Sequence, residues 1–381
     1  MKQVTLKLTA IVMVMAAAIT TAKSQTGIKD FRVVTTAVPF LRISPDARSG
    51  GMGDVGIATM PDAYSAFWNL GKVPFNTSKA GLGVTYTPWL HDIVNDVFLA
   101  TVAGYYKLDD QQAISAGFRY FSLGDIQFTD ASGNTLNNFR PREFAIDLGY
   151  SRKLSNKLGL GIALRYISSD LAGASVNNIS YKKGKSVAGD LHLFHNGVKD
   201  NGAGLAWGLT LSNLGSKIAY TNDADQKDYI PANLGFGLAY TKVFDADSKI
   251  TFGVDLNKLL VPTPPENTDS AGIVDYRTKG VVSSWFSSFG DSESGGEFRE
   301  ISLGVGAEYW YKNQFAFRAG YFYENPDKGN RKFFTLGASL KYNVAGLNFS
   351  YILPSGSGTN RNPLSNTLRF SLVFDLGTKG K

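Results

Sequence analysis

Leu368, Phe370, Leu372, Phe374 and Leu376 fall on every second position, with Arg369, Ser371, Val373 and Asp375 between them. Successive side chains of a strand point to opposite faces, so this spacing makes one large apolar face and one face with charge of both signs. The pattern recurs about fourteen times from Ala80 onward. Two-faced strands in such number suit a closed barrel in a bilayer, where each apolar row meets lipid. The expected fold is therefore all-β: an antiparallel transmembrane barrel of about fourteen strands.

The strands are expected at 80–90, 94–108, 112–123, 142–153, 157–170, 185–196, 203–214, 232–242, 249–260, 298–311, 314–324, 333–343, 345–354 and 366–376. Most exceed the ~9–11 residues of a tilted crossing. The connections alternate as well. Short turns fall near Asp109, Ser155, Asp245, Asn313 and Asn343, and long gaps at 124–141, 171–184, 215–231, 261–297, 325–332 and 355–365. A short gap near His91 and a longer one at Gly197–Gly202 break the rule. Outer-membrane barrels have short periplasmic turns and long external loops, and an even strand count puts both termini in the periplasm.

Composition agrees. Mean hydropathy is only −0.10 although aromatic residues reach 13%, so apolarity lies in alternation rather than in blocks. The absence of cysteine excludes disulfides and thiolate metal sites. Residues 1–24 read as a secretory signal peptide: Lys2 and Lys7, an apolar run from Leu8 to Ile19, and Ala22-Lys23-Ser24 before Gln25. No later run of 18 apolar residues exists, so no spanning helix is expected. Lys2, Lys7 and Lys23 supply three of the seven net positive charges, which leaves +4 scattered over the rest. That is not the footprint of a nucleic-acid partner.

Residues 25–78 do not alternate and would fill the barrel mouth as a plug, ahead of a barrel over 79–381. Within them Pro61–Trp68 reads as a short helix, with Pro and Asp62 in its first turn. Gly-x-Gly pairs at Gly81/Gly83, Gly159/Gly161, Gly235/Gly237 and Gly304/Gly306 lie opposite the apolar rows. Small inward residues leave room for a plug or a ligand to approach the wall. Asp147, Arg165, Asp190, Asp255, Glu308, Arg318, Lys341 and Arg369 share that inner face, where they are expected to form ion pairs and plug contacts. On the lipid face a midplane charge would cost about 2–4 kcal/mol.

No catalytic constellation emerges, and no cofactor or metal is expected. His192 and His195 are three apart on one strand and so point to opposite faces. Ser355-Gly356-Ser357-Gly358 lacks the Lys-Ser/Thr of a phosphate loop, and Asp291–Glu297 lacks the spacing of a calcium loop. The longest loop, 261–297, holds Val281, Val282, Trp285, Phe286 and Phe289, with Val281, Val282, Trp285 and Phe289 at helical spacing. Two readings stand: a helix that packs on neighbouring loops, or a docking surface for a partner or exported protein.

The stretch Phe40-Leu41-Arg42-Ile43-Ser44-Pro45-Asp46-Ala47-Arg48-Ser49-Gly50-Gly51-Met52-Gly53-Asp54, followed by Pro61-Asp62-Ala63 and Trp68-Asn69, resembles the N-terminal segment of the PorV family. These are outer-membrane barrels of the Bacteroidetes type IX secretion system, within the wider FadL-like group. Arg48, Met52, Gly53, Asp54, Trp68 and Asn69 match the plug segment, whereas Leu70 stands where the wider group usually has Pro. The resemblance implies a carrier in the outer membrane, among its lipids and lipopolysaccharide. Such a carrier receives proteins bearing a C-terminal signal domain from a translocon channel of the SprA type. It hands them to a surface sortase complex of the PorU type. The alternative it leaves open is FadL-like transport of hydrophobic small molecules.

Overall fold

The computed structural model describes residues 33–90, 94–129, 133, 135–171, 175–176, 179–223, 227–265, 270–291, 296–354 and 364–377. The signal peptide, His91 and Ser355–Gly358 lie outside them.

The alternating segments are β1 (Ala80–Pro88), β2 (Val97–Lys107), β3 (Gln112–Leu123), β4 (Arg142–Lys153), β5 (Leu158–Asp170), β6 (Gly184–Val198) and β7 (Gly204–Gly215). They continue as β8 (Asn233–Val243), β9 (Ser248–Leu259), β10 (Ile301–Tyr311), β11 (Phe315–Tyr323), β12 (Lys332–Tyr342), β13 (Ala345–Ile352) and β14 (Leu368–Leu376). Each pairs antiparallel with its chain neighbours, and β1 pairs with β14 from Ala80 opposite Leu376 to Tyr86 opposite Phe370. All fourteen expected strands are present, and closure leaves no ladder edge to satisfy. The outward row is oily throughout: Leu148 is 64% exposed, Leu164 68% and Phe317 63%. A face of that extent matches lipid rather than water.

One end of the barrel carries tight turns. At Lys312–Asn313 both residues take positive φ, 53° and 51°, as the central pair of a tight turn in which the Gln314 amide donates to the Tyr311 carbonyl at 3.0 Å. The other end carries the long connections, which contain structure that alternation could not announce. Short hairpins join Ile126–Thr129 to Thr135–Phe139 and Ile218–Ala219 to Lys227–Asp228. The tenth strand begins at Ile301 rather than 298, because Glu297–Glu300 forms a 3-10 turn.

Residues 33–78 run inside the barrel from the long-loop end to the short-turn end. The interior they meet is not uniformly polar, as strict alternation suggested. At the long-loop end the inward Leu99, Phe121 and Ile167 pack on Val38, Phe40 and Leu41, and the Phe40 and Phe121 rings stack at 6.2 Å. Two short helices follow, α1 (Ala47–Gly50) and α2 (Ser65–Trp68). The second is shorter than expected. Pro61 and Asp62 precede it, and Asp62 Oδ1 accepts from the Tyr64 amide at 2.9 Å, so the acid caps the turn from outside.

The inward glycines give this segment its space. A Cβ on Gly320 would sit 2.1 Å from the Met52 carbonyl carbon, and one on Gly306 2.3 Å from the Met52 oxygen. Gly159 faces Gly71 in the same way, and Gly237 faces Ile57. Gly53 itself has φ +70° and would meet the Tyr321 backbone at 2.7 Å. Gly320→Val is therefore expected to push Met52 and Gly53 off the wall, at a cost of about 1–3 kcal/mol for the overpacking. Limited proteolysis in detergent should then cut within 33–78 faster than in the parent. An unchanged cleavage rate would contradict this packing.

Candidate functional site

Three charged clusters tie the inner segment to the wall. In the first, Arg48 donates to both Glu308 oxygens, Nε to Oε2 at 2.9 Å and Nη2 to Oε1 at 2.8 Å. Arg318 Nε donates to the same carboxylate at 2.6 Å. Register explains the wall pair, since Glu308 on β10 lies directly opposite Arg318 on β11. Arg48 Nη1 also reaches Asp62 Oδ2 at 2.9 Å and the Met60 carbonyl at 2.8 Å. Paired forks of this kind are the stronger class of hydrogen bond.

The second cluster centres on Arg165 of β5. It donates to Asp147 on β4, to Asp190 on β6 at 2.8 Å, and to Asn213 on β7. Asn213 reaches it through a bulge: the β6–β7 register shifts between Gly189 and Leu191, and Asn213 has φ 57°. A bulge re-aims a side chain, and here it turns Asn213 inward. The Asn213 backbone N–H donates to Asp190 Oδ1 at 2.7 Å.

In the third, Asp255 accepts from the Gly56 and Ile57 amides at 2.7 and 2.9 Å. Buried Lys72 donates to the Gly56 carbonyl at 2.5 Å from the other side. The remaining expected lumen charges behave differently. Lys341 pairs with Asp375 at 2.5 Å near the short-turn end. Arg369 is fully buried against Gly50, and its Nε and Nη1 have no partner.

The other segment residues singled out in the sequence are also held. Met52 is fully buried, and the Gly53 amide donates to Thr335 Oγ1 at 2.9 Å. The Asp54 amide donates to the Ser49 carbonyl at 3.0 Å. Trp68 Nε1 donates to Asp46 Oδ1 at 2.7 Å, while Asp46 Oδ2 caps α1 through the Ser49 amide at 2.8 Å. Asn69 Nδ2 donates to the Leu193 carbonyl at 2.9 Å, and its Oδ1 accepts from the Gly71 amide at 3.0 Å. The departure at Leu70 has a physical reason. Its amide donates to His192 Nδ1 at 2.9 Å, a bond that proline has no N–H to make. His195 lies on the outer face, stacked on Trp207 at 5.5 Å.

Sequence reasoning missed Asp46, Asp62, Lys72, His192 and Arg119 as members of this interior. For Asp46 the signal was present, a Ser-Pro-Asp-Ala run ahead of a turn that needs a cap. For Lys72 and Arg119 nothing local marks them, because their neighbours come from distant strands.

The long loop forms two helices, α3 (Ser270–Thr278) and α4 (Val281–Ser287). Lys217 Nζ donates to the Arg277 and Lys279 carbonyls at 2.6 Å each, a cation at the C-terminal end of α3 where the dipole favours it. Burial, with the charge of Lys227 nearby, brings this ammonium down to about 8. The residues that α4 buries most deeply are serines. Ser284 and Ser288 are fully buried, their hydroxyls returned to the Val281 and Trp285 carbonyls at 2.5 and 2.8 Å. Val281 and Trp285 flank them half-buried. Val282, Phe286 and Phe289 stay exposed at 59%, 74% and 50%. Asp291, Glu297 and Glu300 converge within 4.8 Å beside this loop. Lysines already occupy the cluster: Lys258 pairs with Glu297 at 3.0 Å and with Glu300, and Lys328 pairs with Glu300 at 2.8 Å.

Many solved barrels resemble this one. The Ralstonia pickettii toluene transporter TbuX is 13% identical over 86% of this chain and 97% of its own, with a TM-score of 0.52. The CymD monoaromatic hydrocarbon channel is 13% identical over 88% and 98%, with a TM-score of 0.51. At this identity the likeness concerns the fold alone. No curated protein matches the chain. A family model for the type IX secretion system protein PorV matches residues 26–266, more than half of the sequence. The chain belongs to the PorV family, as an outer-membrane component of type IX secretion and not an enzyme.

Proposed function

We propose that this barrel binds exported proteins by their C-terminal signal domain once they leave the translocon, and carries them to the surface sortase complex that attaches them to lipopolysaccharide. The observation that supports this reading is the filled lumen. Buried ion pairs and close backbone contacts hold residues 33–78 against the wall, so the working surface is the long-loop rim. That rim carries Val282, Phe286 and Phe289 exposed on one loop. Aromatic anchors of this kind dominate the energy of protein interfaces. In this reading residues 1–24 direct export and are removed, residues 25–78 act as the plug, the long loops face outward, and both ends of the barrel lie in the periplasm.

Deletion of the gene tests it. Proteins with the C-terminal signal should then accumulate in the periplasm and vanish from the surface, and normal surface display in the deletion strain would refute the reading. Uptake of a long-chain fatty acid that depends on the protein, with secretion unaffected, would favour a transporter of hydrophobic molecules instead.

A further inference from the structure

Most lumen arginines have a carboxylate. Arg165 has two, Arg48 and Arg318 share Glu308, and Arg42 and Arg331 share Glu324. Arg119 of β3 does not. It is 3% exposed and among the described residues forms no ion pair. Its Nη1 donates to the Leu41 carbonyl at 3.0 Å, its guanidinium lies 4.7 Å from the Phe67 ring centroid, and its Nε has no partner. A desolvated cation costs several kcal/mol unless an opposite charge meets it.

Arg119 lines a cavity of about 120 Å³ on the long-loop side of the inner segment. Arg42, Arg331, Asn213, Asn233 and Asn257 also line it, and Leu41, Ile57 and Phe67 are among its apolar lining. Asp54 is the one carboxylate in the lining. The lining thus carries three guanidinium groups against one carboxylate, and Glu324 pairs with two of the three, Arg42 and Arg331, which leaves Arg119 as the lining arginine without an ion pair among the described residues. The asparagine amides add hydrogen-bonding groups without charge.

We propose that this cavity is a binding site for a small hydrophilic oxyanion, a carboxylate or a phosphate, that completes the coordination of Arg119. A space of that size, lined by guanidinium and amide groups, suits acetate or inorganic phosphate.

The test is isothermal titration of the full barrel in detergent with sodium phosphate and with sodium acetate at matched ionic strength. Saturable one-to-one binding of either anion is expected, and its identity distinguishes the two chemistries. Arg119→Gln should weaken binding at least tenfold. Because Arg119 also holds Leu41, Asn257→Asp serves as a second variant. It keeps the acceptor for Asn233 Nδ2, now at 2.9 Å, and adds a repelling charge to the cavity. It too should weaken binding at least tenfold, with the heat-modifiable gel shift unchanged. No saturable binding to the parent, equal binding to both variants, or tighter binding of octanoate than of acetate would each overturn the proposal.

Discussion

Glu308→Ala is expected to release the inner segment from the wall. The substitution strands Arg318 as a buried cation and takes one of the two carboxylates from Arg48, the situation in which breaking a buried ion pair costs about 3–5 kcal/mol. Arg318 would keep Ser339 as a partner, and Arg48 would keep Asp62, so the loss falls chiefly on the contact between segment and barrel. Three measurements should move together. The folded form should lose its compact gel mobility at a lower temperature than the parent. Protease should cut within residues 33–78. In planar bilayers the barrel should conduct more than the parent does. Glu308→Gln keeps an acceptor oxygen and should show a smaller effect of the same sign. A Glu308→Ala protein that stays closed and protease-resistant would mean that Met52 packing, not charge, holds the segment.

Val282→Asp with Phe286→Asp should leave the barrel intact and abolish its work. Both side chains are exposed, one turn apart on α4, and neither takes part in the serine face that anchors the helix. Truncating one aromatic anchor at an interface costs about 2 kcal/mol, roughly thirtyfold in affinity, and a buried charge adds to that. Cells carrying the double variant should therefore hold normal amounts of heat-modifiable barrel in the outer membrane while surface display of exported proteins falls at least tenfold. Wild-type display would remove this helix from the docking surface.

The predictions differ in how far the sequence foresaw them. Glu308 and Arg318 could be placed on the inner face because inward and outward positions alternate with period two, a local property of any strand. That Glu308 would meet Arg48, 260 residues away, could not be read locally. It depends on β-register and on where the inner segment runs. The loop helix was legible as a helix, but hydrophobic spacing left open whether its apolar side packs on other loops or stays outside. In the fold α4 buries serines whose hydroxyls bond back to their own backbone, and leaves Phe286 outside. Asn213 was out of reach for a third reason: a bulge reverses the face to which a residue points, and the pattern alone has no mark for it.

The sequence by itself determined the strands, their two faces and the alternation of short and long connections, because each follows from the geometry of an extended chain over about ten residues. Only the tertiary structure decided which buried charges find partners and which, like Arg119, do not. Ion pairing in the lumen joins side chains from separate strands and from the inner segment, and closure of the ring sets those distances.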